Sequence, residues 1–220
     1  MKIIILAAGK GTRMNNLTDD IPKPLLTYEG KTLLEHKFDI LPSSTTEIIL
    51  VIGYLRDTIR DYFGDSYNSI PIRYVVQNEM RGTADALWHC QDFLEGHFMV
   101  LMGDDLYNKN DLLRISSIAS DEWSVLVSPD TTGIKVGSMV KDSEDNLEQI
   151  YNGPERVSLY NNTYTGACVL TPEVFTKPMF ELSSGEFGLP QSFTQFAEEK
   201  AIKVFETDSW TRITSPEDLK

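Results

Sequence analysis

The sequence predicts an α/β protein with a mostly parallel, mixed central sheet and a small α+β lobe. The first observation is a set of strand-like apolar runs at 2–6, 47–52, 72–76 and 97–102. The first and last runs are nearly continuous, which is typical of strands buried on both faces of a sheet. The second observation is that helical patterns separate these runs, and such alternation favours parallel βαβ units.

The helical patterns occupy 32–41, 55–63 and 83–94. Gly64 and Gly96 follow the second and third patterns, and glycine commonly ends a helix. We therefore expect one helix between each pair of neighbouring strands.

The pattern changes after Ser128. Strand-like runs at 136–140, 147–150 and 164–170 follow one another without a full helix between each pair, which predicts the α+β lobe. We expect the 220 residues to form a single domain. Ser215 is a good N-cap for a helix that Lys220 leaves unfinished, so we expect a truncated chain or the front of a longer protein.

Composition argues against several classes of protein. The 33 acidic and 20 basic residues give a net charge of −13, which disfavours a nucleic-acid binder but permits a small anionic ligand beside local positive charge. Cys90 and Cys168 lie in separate apolar stretches, so neither a disulfide framework nor a zinc site is expected. No apolar run is long enough to cross a bilayer, and Gly9 interrupts the first run too early for a signal peptide. We therefore expect a cytoplasmic protein without a membrane partner.

The loop after the first strand has the composition of a phosphate-binding loop. Ligands of open α/β sheets bind beyond the carboxyl ends of strands, which is where residues 7–14 lie. Gly9 and Gly11 permit positive φ and close backbone approach, while Lys10 and Arg13 supply two cations. The alternative is an ordinary connection between a strand and a helix.

Two familiar nucleotide motifs are absent from this sequence. Residues 9–14 lack the third glycine of the dinucleotide fingerprint. Gly30-Lys31-Thr32 matches the end of a P-loop motif, but Leu25 occupies the position of the first glycine that this motif requires. NAD binding and P-loop hydrolysis are therefore not expected.

Lys23 lies between Pro22 and Pro24. Because proline fixes φ, this lysine is held on a stiff segment that has little entropy to lose. It is either a preorganised cation or a solvated lysine on a rigid loop.

Together these segments resemble the signature of the sugar-1-phosphate nucleotidyltransferases. The resemblance rests on LAAGKGTRM at 6–14 with PKPLL at 22–26, then on QNEMRGTADAL at 77–87 and MGDD at 102–105. It covers most of residues 1–110 and the remainder only in places. It implies a three-layer, Rossmann-like nucleotidyltransferase fold, with residues 1–128 as the nucleotide-binding half and 129–220 as the sugar-binding half.

The resemblance also implies a reaction. In this family a sugar 1-phosphate attacks the α-phosphorus of a nucleoside triphosphate, and pyrophosphate leaves. The second pKa of a phosphate monoester is about 6, so the nucleophile is already an anion and needs no general base. Catalysis then depends on bringing two anions together and neutralising the leaving group. Mg²⁺ is the implied cofactor, and the oligomeric state stays open.

Each matched residue receives an implied role. Arg13 would hold the triphosphate and Lys23 would bridge the two reacting phosphates. Asp104, at the end of a buried strand, would bind Mg²⁺. Gln77 would recognise the base, and its amide donor and acceptor suit the uracil of UTP or the thymine of dTTP. The nucleotide-binding set comprises Leu6, Ala7, Ala8, Gly9, Gly11, Thr12, Gln77, Gly82 and Thr83; the sugar-binding set comprises Gly137, Asn152, Gly166 and Glu186.

The second half departs from the family at two places. Arg212 stands where members usually present a second metal-binding aspartate. Three interpretations stay open: Arg212 replaces the charge of the metal on a phosphate, Asp208 replaces the missing aspartate, or catalysis is impaired. Asn152-Gly153 stands where members often carry Glu-Lys, so either the sugar differs or another cation serves, for which Lys135 is one candidate. Two alternatives therefore stay open: a binding protein for nucleotides or nucleotide sugars, and a cytidylyltransferase acting on a phospho-alcohol.

Overall fold

The computed structural model describes residues 1–119, 121–129, 138–151 and 162–220 of the protein. The strands of its main sheet are β1 (Lys2–Ala7), β2 (Glu47–Ile52), β3 (Ile70–Val76), β4 (Phe98–Met102), β5 (Trp123–Pro129), β6 (Ser138–Lys141), β7 (Leu147–Tyr151), β8 (Asn162–Leu170) and β9 (Ile202–Glu206), with a short edge strand at Ser66–Tyr67. The α-helices are α1 (Leu33–Ile40), α2 (Arg56–Phe63), α3 (Thr83–Trp88), α4 (Lys109–Ser116) and α5 (Leu189–Thr194). No helix among these residues is long and apolar enough to cross a membrane.

These strands form one ten-stranded sheet with the order β7-β6-β8-β4-β1-β2-β3 and then the short edge strand. β1 pairs in parallel with β2 and β4, and β2 pairs in parallel with β3. β8 runs antiparallel to β4 and also pairs with β5, which is itself parallel to β9. The predicted α/β class with a mixed, mostly parallel sheet is confirmed.

Both faces of the sheet are covered, as the continuous apolar strands predicted. Ile4 and Leu6 of β1 belong to one core with α3 and α5. Ile3 and Ile5 belong to the opposite core with α1, α2 and α4. Successive strand residues point to opposite faces, so each face of β1 receives alternate side chains.

Two of the predicted helices are confirmed, and the third is shorter than predicted. α1 begins at a capping box in which Thr32 and Glu35 each accept a backbone hydrogen bond from the other. The prediction of a helix over 83–94 is wrong, because α3 ends at Trp88 and a separate 3₁₀ turn covers Gln91–Phe93. Beyond Trp88 the backbone bonds tighten to three-residue spacing, and this turn lets both Cys90 and Leu94 pack into the core.

The sequence analysis missed two strands of the main sheet, β5 and β9. β5 is buried over most of its length, and its parallel partner β9 comes from much later in the chain. Residues 202–206 pair with residues 123–127, which are far away in the sequence, so no local sequence pattern indicates this pairing. The helix start expected at Ser215 is present as a 3₁₀ turn over Pro216–Leu219 with a Ser215 capping box.

The parallel strands place the loops that matter for function. β1, β2, β3 and β4 all point the same way, so the residues that follow them gather at one edge of the sheet.

Candidate active site

A cavity of about 400 Å³ lies where the carboxyl ends of β1 and β4 meet. Its wall contains most of the predicted site residues: Leu6, Ala7, Ala8, Gly9, Gly11, Thr12, Arg13, Lys23, Gln77, Gly82, Thr83, Asp104 and Glu186. Pro24, Met80, Ala86, Met102, Gly103 and Thr214 complete the lining. The fold therefore brings four segments to one cavity. They are the loop of residues 7–14 after β1, called here the opening loop, the Lys23 segment, and the loops after β3 and β4.

The opening loop turns sharply at Gly11. Gly11 has φ 67°, and a Cβ on it would lie 2.9 Å from Cβ of Lys23. Both the left-handed backbone and the close approach of Lys23 require glycine here. Gly9, by contrast, is not among the residues with positive φ, and a Cβ on it would meet nothing within 4 Å. The loop continues into a kinked 3₁₀ helix over Thr12–Thr18.

The two cations of this loop have different surroundings. Nζ of Lys10 lies 5.6 Å from the ring centroid of Tyr54, and Lys10 does not line the cavity. Arg13 is exposed at the cavity wall and has no hydrogen bond or ion pair to any described residue. Arg13 is therefore the loop cation available to an anionic ligand.

Lys23 is paired with Asp104. Its Nζ lies 2.5 Å from Oδ2 of Asp104, and the two side chains are 10% and 34% exposed. Lys23 opens a one-turn 3₁₀ helix over Lys23–Leu25, after Pro22 in an extended conformation. The interpretation as a solvated lysine is therefore wrong: the proline-flanked segment holds a largely buried cation against a carboxylate at the cavity wall.

A second lysine and aspartate support this pair from the protein interior. Lys37 of α1 is completely buried and donates to the backbone carbonyl of Leu33 at 3.0 Å. Burial lowers the pKa of Lys37 to about 8, against the opposing effect of the charges on Asp104 and Asp105. Burial likewise raises the pKa of Asp105 to about 7, with a further contribution from Asp104. These two groups and the Lys23–Asp104 pair thus form one cluster of ionisable side chains that extends from the cavity wall into the protein interior.

Sequence reasoning missed Lys37, although a signal was present. α1 buries Leu33, Leu34, Lys37 and Phe38, which share one face at helical spacing. A lysine in the middle of an apolar stripe is unusual unless a charge partner lies within the core.

The burial of Lys37 predicts how stability changes with pH. Its pKa falls on folding from 10.5 to about 8, so between these pH values the unfolded chain binds more protons than the folded chain. Stability should therefore rise with pH across this window. In Lys37→Met this contribution should be absent. The measurement is the free energy of unfolding of both proteins from pH 7.5 to 10; subtracting the two curves removes the effect of cysteines and tyrosines. A difference that does not change with pH would contradict the assignment.

Gln77 is buried at the end of β3 with its amide orientation fixed. Its Nε2 donates to Oδ2 of Asp85 at 2.8 Å and to the carbonyl of Gly82 at 3.1 Å. Both amide hydrogens are thereby used. Oε1 is left as the polar atom of this cavity-lining side chain without a partner among the described residues. The expectation that Gln77 offers a ligand both a donor and an acceptor is wrong, since only the acceptor remains.

The Gly82 loop packs tightly on a segment from the second half of the chain. Gly82 has φ 103°, and a Cβ on it would lie 2.4 Å from the carbonyl oxygen of Phe187. The N–H of Phe187 donates to the carbonyl of Arg81 at 2.7 Å, and the N–H of Leu189 donates to Oγ1 of Thr83 at 3.0 Å. These contacts hold the segment of Glu186 at the cavity wall.

The predicted sugar-binding residues divide into three groups. Glu186 lines the cavity. Gly166 does not; it is buried behind Met102, with φ 85°, and a Cβ there would overlap the Met102 side chain. Gly137 and Asn152, like Lys135 and Gly153, lie outside the described residues. Met80 and Thr214 line the cavity without having been predicted, because neither residue type carries a distinctive signal.

Arg212 belongs to a two-residue strand that pairs antiparallel with Asp105-Leu106, where its partner is Asp105. Its charge opposes the upward pKa shift of Asp105. Neither Arg212 nor Asp208 lines the cavity. Thr214 instead brings this segment to the cavity wall.

The described residues contain no group of three or more His, Cys, Asp or Glu side chains that could hold a metal ion. Among the residues that line the cavity, Asp104 and Glu186 carry carboxylates, and Arg212 adds no ligand. Mg²⁺ commonly takes one or two carboxylates together with substrate phosphates and water. The donor set therefore fits a Mg²⁺ ion that a bound triphosphate helps to hold.

Comparison with known proteins places the chain in a family. Residues 2–219 match the family model described as "Nucleotidyl transferase". The chain is 32% identical to the UTP–glucose-1-phosphate uridylyltransferase AglF of Haloferax volcanii over 80% of its own length and 74% of that protein. It is 27% identical to the bifunctional protein GlmU of Methanococcus maripaludis and spans about half of that protein, 53%. A D-glycero-α-D-manno-heptose 1-phosphate guanylyltransferase of Campylobacter jejuni is 35% identical over 58% of the chain and 67% of the relative.

Solved structures share the same architecture. An inositol-1-phosphate CTP transferase from T. maritima superimposes with a TM-score of 0.82 at 24% identity, covering 100% of this chain and 91% of the other. A Bacillus anthracis protein assigned as a glucose-1-phosphate thymidylyltransferase gives a TM-score of 0.84 at 22% identity, with coverages of 100% and 92%. These likenesses confirm the Rossmann-like fold, and the family model spans nearly the whole chain. The protein therefore belongs to the nucleotidyl transferase family, among the sugar-1-phosphate nucleotidyltransferases.

Proposed function

We propose that the protein transfers a nucleotidyl group from UTP or dTTP to a sugar 1-phosphate and releases pyrophosphate. The observation that carries this proposal is the Lys23–Asp104 pair, 2.5 Å apart at the wall of the cavity that the opening loop also lines. A buried cation beside a carboxylate suits two reacting phosphates better than one neutral ligand.

The proposed mechanism assigns the chemistry to charge and position. The sugar phosphate attacks as an anion, so the main obstacle is the repulsion between two negatively charged substrates. Lys23 lies at the cavity wall to neutralise both phosphates where they meet. Arg13, exposed and unpaired among the described residues, takes the triphosphate and then the departing pyrophosphate.

Asp104 is the residue we propose to hold Mg²⁺ with the triphosphate. Bound there, the ion would neutralise phosphate charge and fix the triphosphate in place. The short contact with Lys23 engages Oδ2 of Asp104, and Oδ1 has no hydrogen bond within the described part of the chain.

The preference for uracil or thymine rests on the fixed amide of Gln77. Oε1 of Gln77 can accept a hydrogen bond from the N3–H group that both bases carry. Cytosine presents a lone pair at N3, so the same oxygen would repel it. This argues against CTP, which the T. maritima structural neighbour is named for, and agrees with the UTP in the name of AglF.

The two halves of the chain contribute different subsites in this proposal. Residues from the 1–128 half surround the nucleotide, and the 129–220 half presents Glu186 and Thr214 to the sugar. Asn152 and Gly137 stay predicted sugar contacts. We also propose a reducing, cytoplasmic setting, supported by the free and buried thiols of Cys90 and Cys168.

A binding protein without turnover is the second candidate. Arg212, in place of the second metal-binding aspartate, favours it, as does the lack of a three-carboxylate cluster in the described part of the chain. This candidate predicts nucleotide binding without pyrophosphate release.

Pyrophosphate release distinguishes the candidates. The protein is incubated with Mg²⁺, one of UTP, dTTP, CTP, GTP or ATP, and either glucose 1-phosphate, another sugar 1-phosphate or inositol 1-phosphate. We expect release with UTP or dTTP that also requires a sugar 1-phosphate. Nucleotide binding with no release for any pair would overturn the transferase in favour of the binding protein, and release only with CTP and inositol 1-phosphate would establish the cytidylyltransferase.

A further inference from the structure

Asp85 of α3 lies next to Gln77 in the protein interior. The two residues are 7% and 4% exposed, and Nε2 of Gln77 donates to Oδ2 of Asp85 at 2.8 Å. The second amide hydrogen of Gln77 goes to the carbonyl of Gly82. That carbonyl also accepts the helical bond from the N–H of Ala86 at 3.2 Å. Asp85 therefore supplies the dedicated side-chain acceptor for the Gln77 amide.

The chemistry of the two acceptors fixes the orientation of the amide. A carboxylate and a peptide carbonyl only accept hydrogen bonds. Rotating the Gln77 amide by half a turn would place Oε1 against both of these oxygens and would leave Nε2 facing the cavity. In this buried site the rotation would therefore replace both hydrogen bonds with repulsion between oxygen atoms.

We propose that Asp85 is a positioning residue for nucleotide selection: it keeps Oε1 of Gln77 toward the cavity and so favours bases that present an N–H group there. This inference rests on the proposed function, in which Gln77 contacts the base. Uracil and thymine satisfy the oxygen through N3–H, whereas cytosine opposes it with a lone pair. Without Asp85 the amide can rotate, and Nε2 can then donate to the cytosine N3.

The test compares UTP with CTP in three variants. Asp85→Ala removes the acceptor, Asp85→Asn keeps an acceptor of the same size, and His89→Ala is the matched control. Nε2 of His89 lies 3.5 Å from Oδ2 of Asp85, but His89 has no hydrogen bond to Gln77. The ratio of kcat/KM for UTP to that for CTP should fall about 10-fold in Asp85→Ala, as expected for loss of one buried hydrogen bond. It should fall less in Asp85→Asn and stay unchanged in His89→Ala.

A selectivity ratio separates positioning from general damage, because a loosened fold would slow both nucleotides alike. UTP methylated at N3 gives a second readout that needs no variant. The wild-type protein should discriminate against it, and Asp85→Ala should do so less. Equilibrium binding of the same nucleotides by calorimetry extends the comparison to a protein without turnover.

The outcomes distinguish the two proposals. If the wild-type protein binds UTP selectively but releases no pyrophosphate, the proposed function is contradicted. The Asp85 inference is then tested by the ratio of the binding constants for UTP and CTP in the same variants. An unchanged ratio in a folded Asp85→Ala protein would overturn the inference alone. Equal use of UTP and its N3-methyl derivative by the wild-type protein would overturn it as well, even if Asp85→Ala fails to fold.

Discussion

Replacing Lys23 with methionine is expected to lower kcat by about 100- to 1,000-fold, the usual effect of removing one preorganised group that stabilises transition-state charge. Methionine keeps most of the buried aliphatic volume of this 8%-exposed residue, so the fold should survive. The loss should appear in kcat more than in the KM of the nucleotide, because Arg13 still holds the triphosphate. Steady-state kinetics of pyrophosphate release measure kcat and KM for the wild-type protein and the variant. A melting curve for each protein checks that it is folded.

Lys10→Ala is the control for this substitution. Lys10 is a lysine of the neighbouring opening loop. Its Nζ lies over the ring of Tyr54, and Lys10 does not line the cavity. Its removal should change kcat less than threefold, the scale of an exposed charge. Equal losses in the two variants would mean that net positive charge, and not the position of Lys23, supports turnover.

Gly82→Ala is expected to destabilise the protein by about 3 kcal/mol, since the backbone conformation of Gly82, φ 103° and ψ 178°, is essentially restricted to glycine. The new Cβ would also come 2.4 Å from the Phe187 carbonyl oxygen and push the Glu186 segment away from the cavity. We therefore expect a raised KM for the sugar phosphate in whatever protein remains folded. Urea unfolding and steady-state kinetics test the two parts separately.

Gly9→Ala is the matched control. Gly9 also lines the cavity, but it does not have positive φ and a Cβ would meet nothing within 4 Å. Its free energy of unfolding should change by no more than about 0.5 kcal/mol. Comparable destabilisation by the two alanines would contradict the role given to the contact between Gly82 and Phe187.

The sequence was most informative where one segment carries its own constraint. Gly11 adopts positive φ within its own turn, and Lys23 is held by the prolines on each side. The strands that end beside them are continuous apolar runs, so the edge of the sheet that holds the cavity could be predicted before any contact was known.

What could not be predicted depends on partners that the sequence leaves far apart. Lys37 becomes part of the site only because α1 packs against the strand that carries Asp105, whose pKa the charge of Lys37 lowers. Gln77 offers a single acceptor only because Asp85 occupies its amide from the next helix. The position of Glu186 depends on backbone contacts between Phe187 and the Gly82 loop. These are tertiary effects, and the residue types involved have ordinary roles elsewhere.

The central claim is that a sugar phosphate attacks the α-phosphorus of a nucleotide bound in this cavity. The most direct test uses UTP radiolabelled at the α-phosphorus together with Mg²⁺ and glucose 1-phosphate, or the sugar 1-phosphate found active in the panel. We expect the label to appear in a nucleotide sugar in a one-to-one ratio with released pyrophosphate, and Lys23→Met to eliminate nearly all of both products. Recovery of the label as UMP, or as unchanged UTP despite tight binding, would contradict the account.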